Sequence, residues 1–414
     1  MNILKIRYIL FSLFVAVNSI YTAVPDIQSD AVGQLYARAA VLIDGSNGRI
    51  LYGHNENEVM PMASTTKIMT LVIALEYGRP DDTVTVSKYA AMQPDVQLNA
   101  VCGEQYKLSD LLYLMMMQSY NDVAVAVAEY IGETYNGGTQ NSENVRQRTT
   151  EESKKYVAEF AALMNEKAGE LGCKNTYFIT PNGLDARDEN GVHSTTAYEL
   201  ALISAYAVRN PDVCKICGTR DFGCSEINGK RNIRVSSTDR FLDMVNGALG
   251  LKTGFTGNAG YCFVGAVRQD GRTFISVVLG CGWPPNKSYK WSDTKKLMNY
   301  GINNYFPQII FSPENSYRTI TVEGGTAQSV GTSIPYSLTM LLSEADDVRI
   351  IYVLDDTIQA PVSEHDTVGY VYIYVNGQVQ EILPILASGD VKKNDFKWCF
   401  QKIIKMYLGQ NKNC

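Results

Sequence analysis

MASTTKIMT, Met62 to Thr70, places a serine three residues before a lysine at the entrance to an apolar run that continues through LVIALEY and stops at Gly78 and Pro80. The run predicts one buried helix, Ser64 to Tyr77, at the centre of its domain. At i and i+3 the Ser64 and Lys67 side chains share a helix face, about 5–6 Å apart at Cβ. A lysine takes a serine proton only as the neutral amine, so burial or a second cation must lower its pKa. The helix start adds a positive field that favours negative charge developing at the hydroxyl and at an attacked oxygen. Alone, the pair is better read as an N-capping serine with an incidental lysine.

Two further stretches give the pair company. Ser119-Tyr120-Asn121 supplies a hydroxyl and an amide between two apolar helices, LSDLLYLMMMQ and DVAVAVAEYIG, the first beginning near Ser109 with Asp110 in its first turn. Lys252-Thr253-Gly254 opens a strand with a cation, a hydroxyl and a small residue. Around that strand the pattern is antiparallel: GLKTGFT, YCFVGAV, a turn at Asp270-Gly271, then RTFISVVLG. Two apolar runs flanking Ser46-Asn47-Gly48 predict a hairpin near the N-terminus, and Ser292 to Phe306 a closing helix. Asn136 to Lys155 is polar and reads as a surface excursion running into a helix over VAEFAALMNEKAGELG. The expected fold class is α/β (α+β), an antiparallel sheet covered by helices.

Beyond Pro307 the chain is strand-rich, with YRTITVEG, SLTMLL, VRIIYVL, VGYVYIYV and QVQEILPIL, the last two flanking Asn376-Gly377. This predicts a small all-β domain over 310–388, after a first domain over 30–307. The tail from Asp395 to Leu408 spaces Phe396, Cys399, Phe400, Ile403, Ile404 and Tyr407 at helical intervals, with Lys397, Lys402 and Lys405 elsewhere on the wheel. A basic amphipathic helix in an acidic protein, with Trp398, reads as a membrane-surface anchor over 390–414; the plainer alternative is packing against its own β domain.

The 414 residues carry a formal net charge of −6 and a pI near 5.3, which excludes nucleic acid as the main partner, because phosphate binding needs a basic face. Residues 1–23 read as a secretory signal: Lys5 and Arg7 precede an apolar run too short to span a bilayer. Nine cysteines, an odd and scattered set, give no disulfide framework. Cys102, Cys173, Cys262 and Cys281 sit among apolar residues as core thiols. Cys214, Cys217 and Cys224 are close enough for a bridge or a metal site, but no histidine lies near them, so neither a metal nor any cofactor is expected.

In the order SxxK, SxN, KTG, the three motifs are the set of class A β-lactamases and penicillin-binding proteins. With the blocks KNTYFITPNGLD, HSTTAYELALIS and SVVLG, the chain resembles the penicillin-binding D-alanyl-D-alanine carboxypeptidases, serine peptidases of bacterial cell-wall metabolism. The resemblance spans nearly the whole mature chain. It implies a β-lactamase/transpeptidase-like domain at the extracytoplasmic face of the cytoplasmic membrane, acting on peptidoglycan stem peptides that end in D-Ala-D-Ala and acylated by β-lactam antibiotics. Carried over, Ser64 is the nucleophile, Lys67 its base, and Ser119 the relay to the leaving D-alanine, while Lys252 helps keep Lys67 neutral. Asn121 binds the acyl-side amide and Thr253 the terminal carboxylate. The backbone N–H groups of Ser64 and Phe255 form the oxyanion hole, and Gly254 leaves room for substrate lying along the strand. SxN here carries a tyrosine in the middle, where the family commonly has a smaller residue. A rough match of the closing helix puts Lys290 where some relatives place a carboxylate-docking arginine. No ExxLN-like segment lies between Asn121 and Lys252, which argues against a β-lactamase. A D,D-endopeptidase shares all three motifs, and a non-catalytic membrane-surface scaffold is the reading outside enzymology.

Overall fold

The computed structural model describes residues 32–410 apart from positions 136 and 315, so the expected signal segment lies outside the described residues. The architecture is built on a five-stranded antiparallel sheet. Its strands are β1 (Ala39–Asp44), β2 (Ile50–His54), β3 (Ala248–Thr256), β4 (Gly260–Gln269) and β5 (Arg272–Leu279), in the order β2-β1-β5-β4-β3. Residues of β1 alternate between two cores: Ala39, Val41 and Ile43 face one, Ala40 and Leu42 the other. Strands β4 and β5 alternate likewise, with Val264, Ala266, Ile275 and Val277 on the first side and Phe263, Phe274 and Val278 on the second. A period of two with both sets apolar is what a strand covered on both faces requires.

The first face is covered by α1 (Lys67–Tyr77), α2 (Leu108–Gln118), α3 (Asn121–Tyr135), α4 (Thr150–Glu170) and α5 (Ala197–Ala207). Helix α1 is central, with Ile68, Met69, Leu71, Val72, Ile73 and Ala74 all buried. Each large side chain among them contributes about 1.5–3 kcal/mol by leaving water. The second face is closed by α6 (Tyr289–Asn304), through Trp291, Leu297 and Met298.

Three expectations need correcting. The helix expected from Ser64 begins as a 3-10 turn, Ala63–Thr66, and becomes α-helical only at Lys67, because Thr65 and Thr66 turn their hydroxyls back onto the Met62 and Ala63 carbonyls. The polar stretch before VAEF is largely ordered: Ser142–Gln147 is a short helix, and α4 starts at Thr150. Its capping box explains the early start, with the Thr149 hydroxyl accepting from the Glu152 N–H and the Glu152 carboxylate accepting from the Thr149 N–H. Cys102 is only half-buried, unlike Cys173, Cys262 and Cys281, because it sits in a turn of the 92–104 loop.

Downstream lies a C-terminal β domain of eight strands: β6 (Phe306–Phe311), β7 (Thr319–Glu323), β8 (Ser329–Ser333), β9 (Leu338–Leu342), β10 (Val348–Leu354), β11 (Thr357–Gln359), β12 (Thr367–Val375) and β13 (Gln378–Ala387). Six form a sheet in the order β10-β12-β13-β8-β7-β11, and β6 pairs with β9. Arg49, beside the first hairpin, forms a buried ion pair with Asp346 at 3.3 Å and donates to the Leu341 carbonyl, joining the β domain to the sheet. Helix α7 (Phe396–Gln410) follows; Phe396 is 85%, Ile403 65% and Tyr407 72% exposed, so it does not pack on the β domain. Among the described residues no helix is long and apolar enough to cross a membrane.

Candidate active site

Strand β3 is the last of its sheet, so one edge is free of a strand neighbour, and the 3-10 turn lies against it. The close approach depends on Gly254: a Cβ there would stand 3.1 Å from both the Ala63 Cβ and the Ser64 nitrogen. On the other side Gly183 does the same, at φ +85, where a Cβ would fall 2.0 Å from the Ala63 oxygen. The serine is therefore held between two glycines that let backbone pass close to backbone.

Lys67, fully buried one turn behind, has its Nζ 3.0 Å from Ser64 Oγ, 2.8 Å from Asn121 Oδ1 and 2.6 Å from the Asn182 carbonyl oxygen. Two of these neighbours can only accept. A neutral amine has two N–H groups and one lone pair, so the two carbonyl oxygens can take both protons and leave the lone pair for the serine hydroxyl, which also reaches the Asn182 carbonyl oxygen at 3.3 Å. Burial pushes the Lys67 pKa well below the ordinary 10.5, and the Lys252 ammonium lowers it further against the opposing pull of Asp122. Lys252 is itself buried, donating to the Thr253 carbonyl at 3.1 Å, and burial brings it down to about 8 although Asp239 pulls it up. Burial raises Asp239 to about 6. Its carboxylate accepts from the Phe241 and Leu251 N–H groups, fixing the start of β3.

Register separates the motif on β3. Lys252 pairs with Val264, on the face covered by α1, whereas Thr253 and Phe255 pair with Phe263 and Tyr261 on the opposite face. Phe255 is 43% exposed, its ring 4.6 Å from that of Tyr261. Lys290 rises from α6 beneath Tyr261, 4.6 Å from its ring centroid and 4.8 Å from that of Trp291, and donates to the Lys287 carbonyl. Burial brings Lys290 down to about 8 as well.

Ser119 caps α2 in the left-handed conformation, φ +67, and its hydroxyl makes no hydrogen bond among the described residues. Asn121 is engaged at both ends of its amide, its Nδ2 donating to the Pro94 and Asp95 carbonyls at 3.0 Å each. The site thus joins Ser64, Lys67, Asn121, Lys252 and Gly254 closely, with Ser119, Thr253 and Phe255 at its border and Lys290 beyond it.

Several contributors are absent from the three motifs. Asn182 offers its backbone oxygen to Lys67, while its side chain donates to Gln93 Oε1 at 3.2 Å. The Asp122 carboxylate gathers the Leu98 and Ala100 N–H groups and so holds the 92–104 loop at the mouth. Buried His193 accepts from the Ile179 N–H at Nδ1, so Nε2 carries the proton and donates to Thr66 Oγ1 at 2.8 Å, and burial keeps the ring neutral, down to about 4. It clamps the segment bearing Asn182 to the turn bearing Ser64. Pro-Asn-Gly at 181–183 was the available signal, a turn with an obligatory left-handed glycine. Among the described residues no group of His, Cys, Asp and Glu is placed to hold a metal, and the eight described cysteines are free thiols.

The family model for D-alanyl-D-alanine carboxypeptidases matches residues 26–141 and 155–282. The chain belongs to this family of serine peptidases. A second model, the C-terminal domain of penicillin-binding protein 5, matches 307–393. D-alanyl-D-alanine carboxypeptidase DacF of Bacillus subtilis is 30% identical over 368 residues, covering 87% of each chain. DacC of Escherichia coli is 27% identical over 400 residues, 93% of this chain and 90% of its own. The crystal structure of penicillin binding protein 5 from Haemophilus influenzae superposes with a TM-score of 0.67 at 26% identity, covering 87% of this chain and 99% of that one. Family membership makes this chain a serine-type D-alanyl-D-alanine carboxypeptidase with the β-lactamase/transpeptidase-like fold.

Proposed function

We propose that the protein removes the terminal D-alanine from peptidoglycan stem pentapeptides through an acyl-enzyme on Ser64, and that penicillins trap the same serine. The observation that carries this is the Lys67 amine, buried and satisfied on two sides by carbonyl oxygens, with its remaining valence 3.0 Å from Ser64 Oγ. Neutral Lys67 takes the hydroxyl proton as Oγ attacks the carbonyl carbon of the penultimate D-alanine. The oxyanion forms between the Ser64 and Phe255 N–H groups. The C–N bond then breaks, and the proton passes from Lys67 through the Ser119 hydroxyl to the departing amine. Water hydrolyses the ester by the same base, releasing the shortened peptide. Thr253 binds the substrate carboxylate, and charged Lys252 favours neutral Lys67. Asn121 binds the acyl-side amide only after releasing a carbonyl of the 92–104 loop. Lys290 adds positive potential from below rather than a direct bond.

The catalytic unit spans 30–307 and the β domain 310–388. Residues 390–414 form an anchor whose exposed Phe400, Ile403, Ile404 and Tyr407 enter the membrane surface, placing the enzyme outside the cytoplasmic membrane. Mass spectrometry of products from a pentapeptide ending in D-Ala-D-Ala tests the activity: loss of one alanine is expected, and an untouched peptide, or one cut elsewhere, counts against it.

A further inference from the structure

Behind α1, on the side away from the serine, the first domain holds a cavity of about 290 Å³. Val72 and Glu76 bring α1 to its wall. Glu76 lies nine residues beyond Lys67, half a turn round the helix and about 14 Å along it. The cavity therefore shares the helix that carries the base but not the cleft.

Its floor and its mouth differ in kind. Val72, Ala207 and Val213, 4%, 1% and 1% exposed, make the floor. Partly exposed Glu76 and exposed Arg209 stand at the mouth with Asn210. Glu76 is fixed from two helices: Oε1 accepts from the Tyr206 hydroxyl of α5 at 2.7 Å, and Oε2 meets Lys167 Nζ of α4 at 3.2 Å. An ionised carboxylate has about four acceptor positions, so two stay open. Arg209 is steadied by one bond, Nη2 donating to the Ser46 carbonyl at 3.2 Å, and has no ion pair among the described residues. Asn210 Oδ1 accepts from the Asp212 N–H at 2.9 Å, which leaves Nδ2 without a partner among the described residues.

Opposite charges at one mouth over an apolar floor suit a ligand whose ammonium and carboxylate share one carbon and whose remainder is apolar. Arg209 and the Asn210 amide would take the carboxylate and Glu76 the ammonium, with the side chain entering between α1 and α5. A simple carboxylate would face Glu76 unpaired, and a simple amine would face Arg209, so the charge pattern favours the zwitterion over either ion. Volume sets the side chain: a cavity of about 150 Å³ accommodates benzene, so one twice that size takes about a dozen non-hydrogen atoms. The peptidase reaction uses none of these groups. We propose that this cavity is a binding site for a free α-amino acid with a large apolar side chain, separate from the catalytic cleft.

Isothermal titration of the wild-type full chain tests this with L-phenylalanine, with hydrocinnamate, which lacks the ammonium, and with phenethylamine, which lacks the carboxylate. Phenylalanine should bind with a Kd of about 1 mM, and each analogue about fivefold more weakly, the difference that one partly solvated charge contact provides. Arg209→Gln should bring phenylalanine to the affinity of phenethylamine and leave phenethylamine and the rate of penicillin acylation unchanged. Val213→Phe, which fills the floor, should abolish binding of all three; where it also lowers the unfolding temperature, Arg209→Gln alone decides. Prior acylation by penicillin should leave phenylalanine binding intact, and its loss would put the ligand in the cleft and refute the proposal. Absence of phenylalanine binding at ten times the expected Kd, equal affinity for the three compounds, or an affinity that Arg209→Gln does not change would overturn the site.

Discussion

Replacing Gly183 with alanine puts the least conspicuous part of the site under the greatest load. At φ +85 the added Cβ costs about 1–2 kcal/mol in backbone strain alone. The new methyl would also stand 2.0 Å from the Ala63 oxygen and 2.9 Å from the Ser64 nitrogen. Relieving the first contact to an ordinary distance needs a shift of about 1 Å or more between the 181–183 turn and the 3-10 turn. Asn182 moves with its neighbour, and a hydrogen bond of 2.6 Å to Lys67 stretched by that amount is no longer one. Misplacement on this scale costs about a hundredfold in rate. The total destabilisation of about 2–3 kcal/mol lowers the unfolding temperature by about 5–10 °C in a domain of this size. The assay is the second-order rate of acylation by a fluorescent penicillin, with Tm from calorimetry. Gly172→Ala is the control, since φ is +80 there but nothing lies within 4 Å of the added carbon. It should lower Tm through strain and leave the rate unchanged. A Gly183→Ala enzyme that acylates like Gly172→Ala would refute the claim that the Asn182 carbonyl positions the base.

Lys67→Ala should abolish acylation while circular dichroism reports an intact fold; stopped-flow acylation at the wild-type rate would contradict its role as base. Acylation needs neutral Lys67, so the rate rises with pH through a pKa well below 10.5, and it needs charged Lys252, so the rate falls again near pH 8. Lys252→Arg, whose guanidinium stays charged, should carry that alkaline limb upward, and a pH–rate profile unchanged between the two enzymes would sink the assignment. Deleting 395–414 should release the mature protein from membranes without lowering turnover of a soluble pentapeptide, as sedimentation and product analysis will show. Cys262, wholly buried and pushed up to about 12, should resist thiol reagents until the protein unfolds.

Much of this site was legible because its chemistry resides in side chains at short spacing. Ser64 and Lys67 sit one turn apart at the entrance to a run too apolar to be anything but a buried helix, and Lys252 lies in a segment bounded by clear turns, although its strand starts earlier than the sequence suggested, at Ala248. Backbone contributions were not legible. The Asn182 carbonyl, the Pro94 and Asp95 carbonyls on Asn121, and the passage of Gly183 against Ala63 have no residue-type signature beyond a turn. The engagement of both ends of Asn121 was hidden for the same reason. In the fold, long strands with period-two alternation were readable, whereas Thr357–Gln359, a three-residue parallel edge strand, and Asp221–Ser225 are too short or too polar to show a period. The early start of α4 was written in Thr149 and Glu152 but was masked by the charge around them.

Peptide mapping by mass spectrometry after brief exposure of the full chain to penicillin reads the acyl-enzyme on Ser64 itself. One covalent adduct is expected, on the peptide containing Ser64, lost in Ser64→Ala and formed at a greatly reduced rate in Lys67→Ala. No adduct on the wild-type protein, or one that persists when Ser64 is replaced, would contradict it.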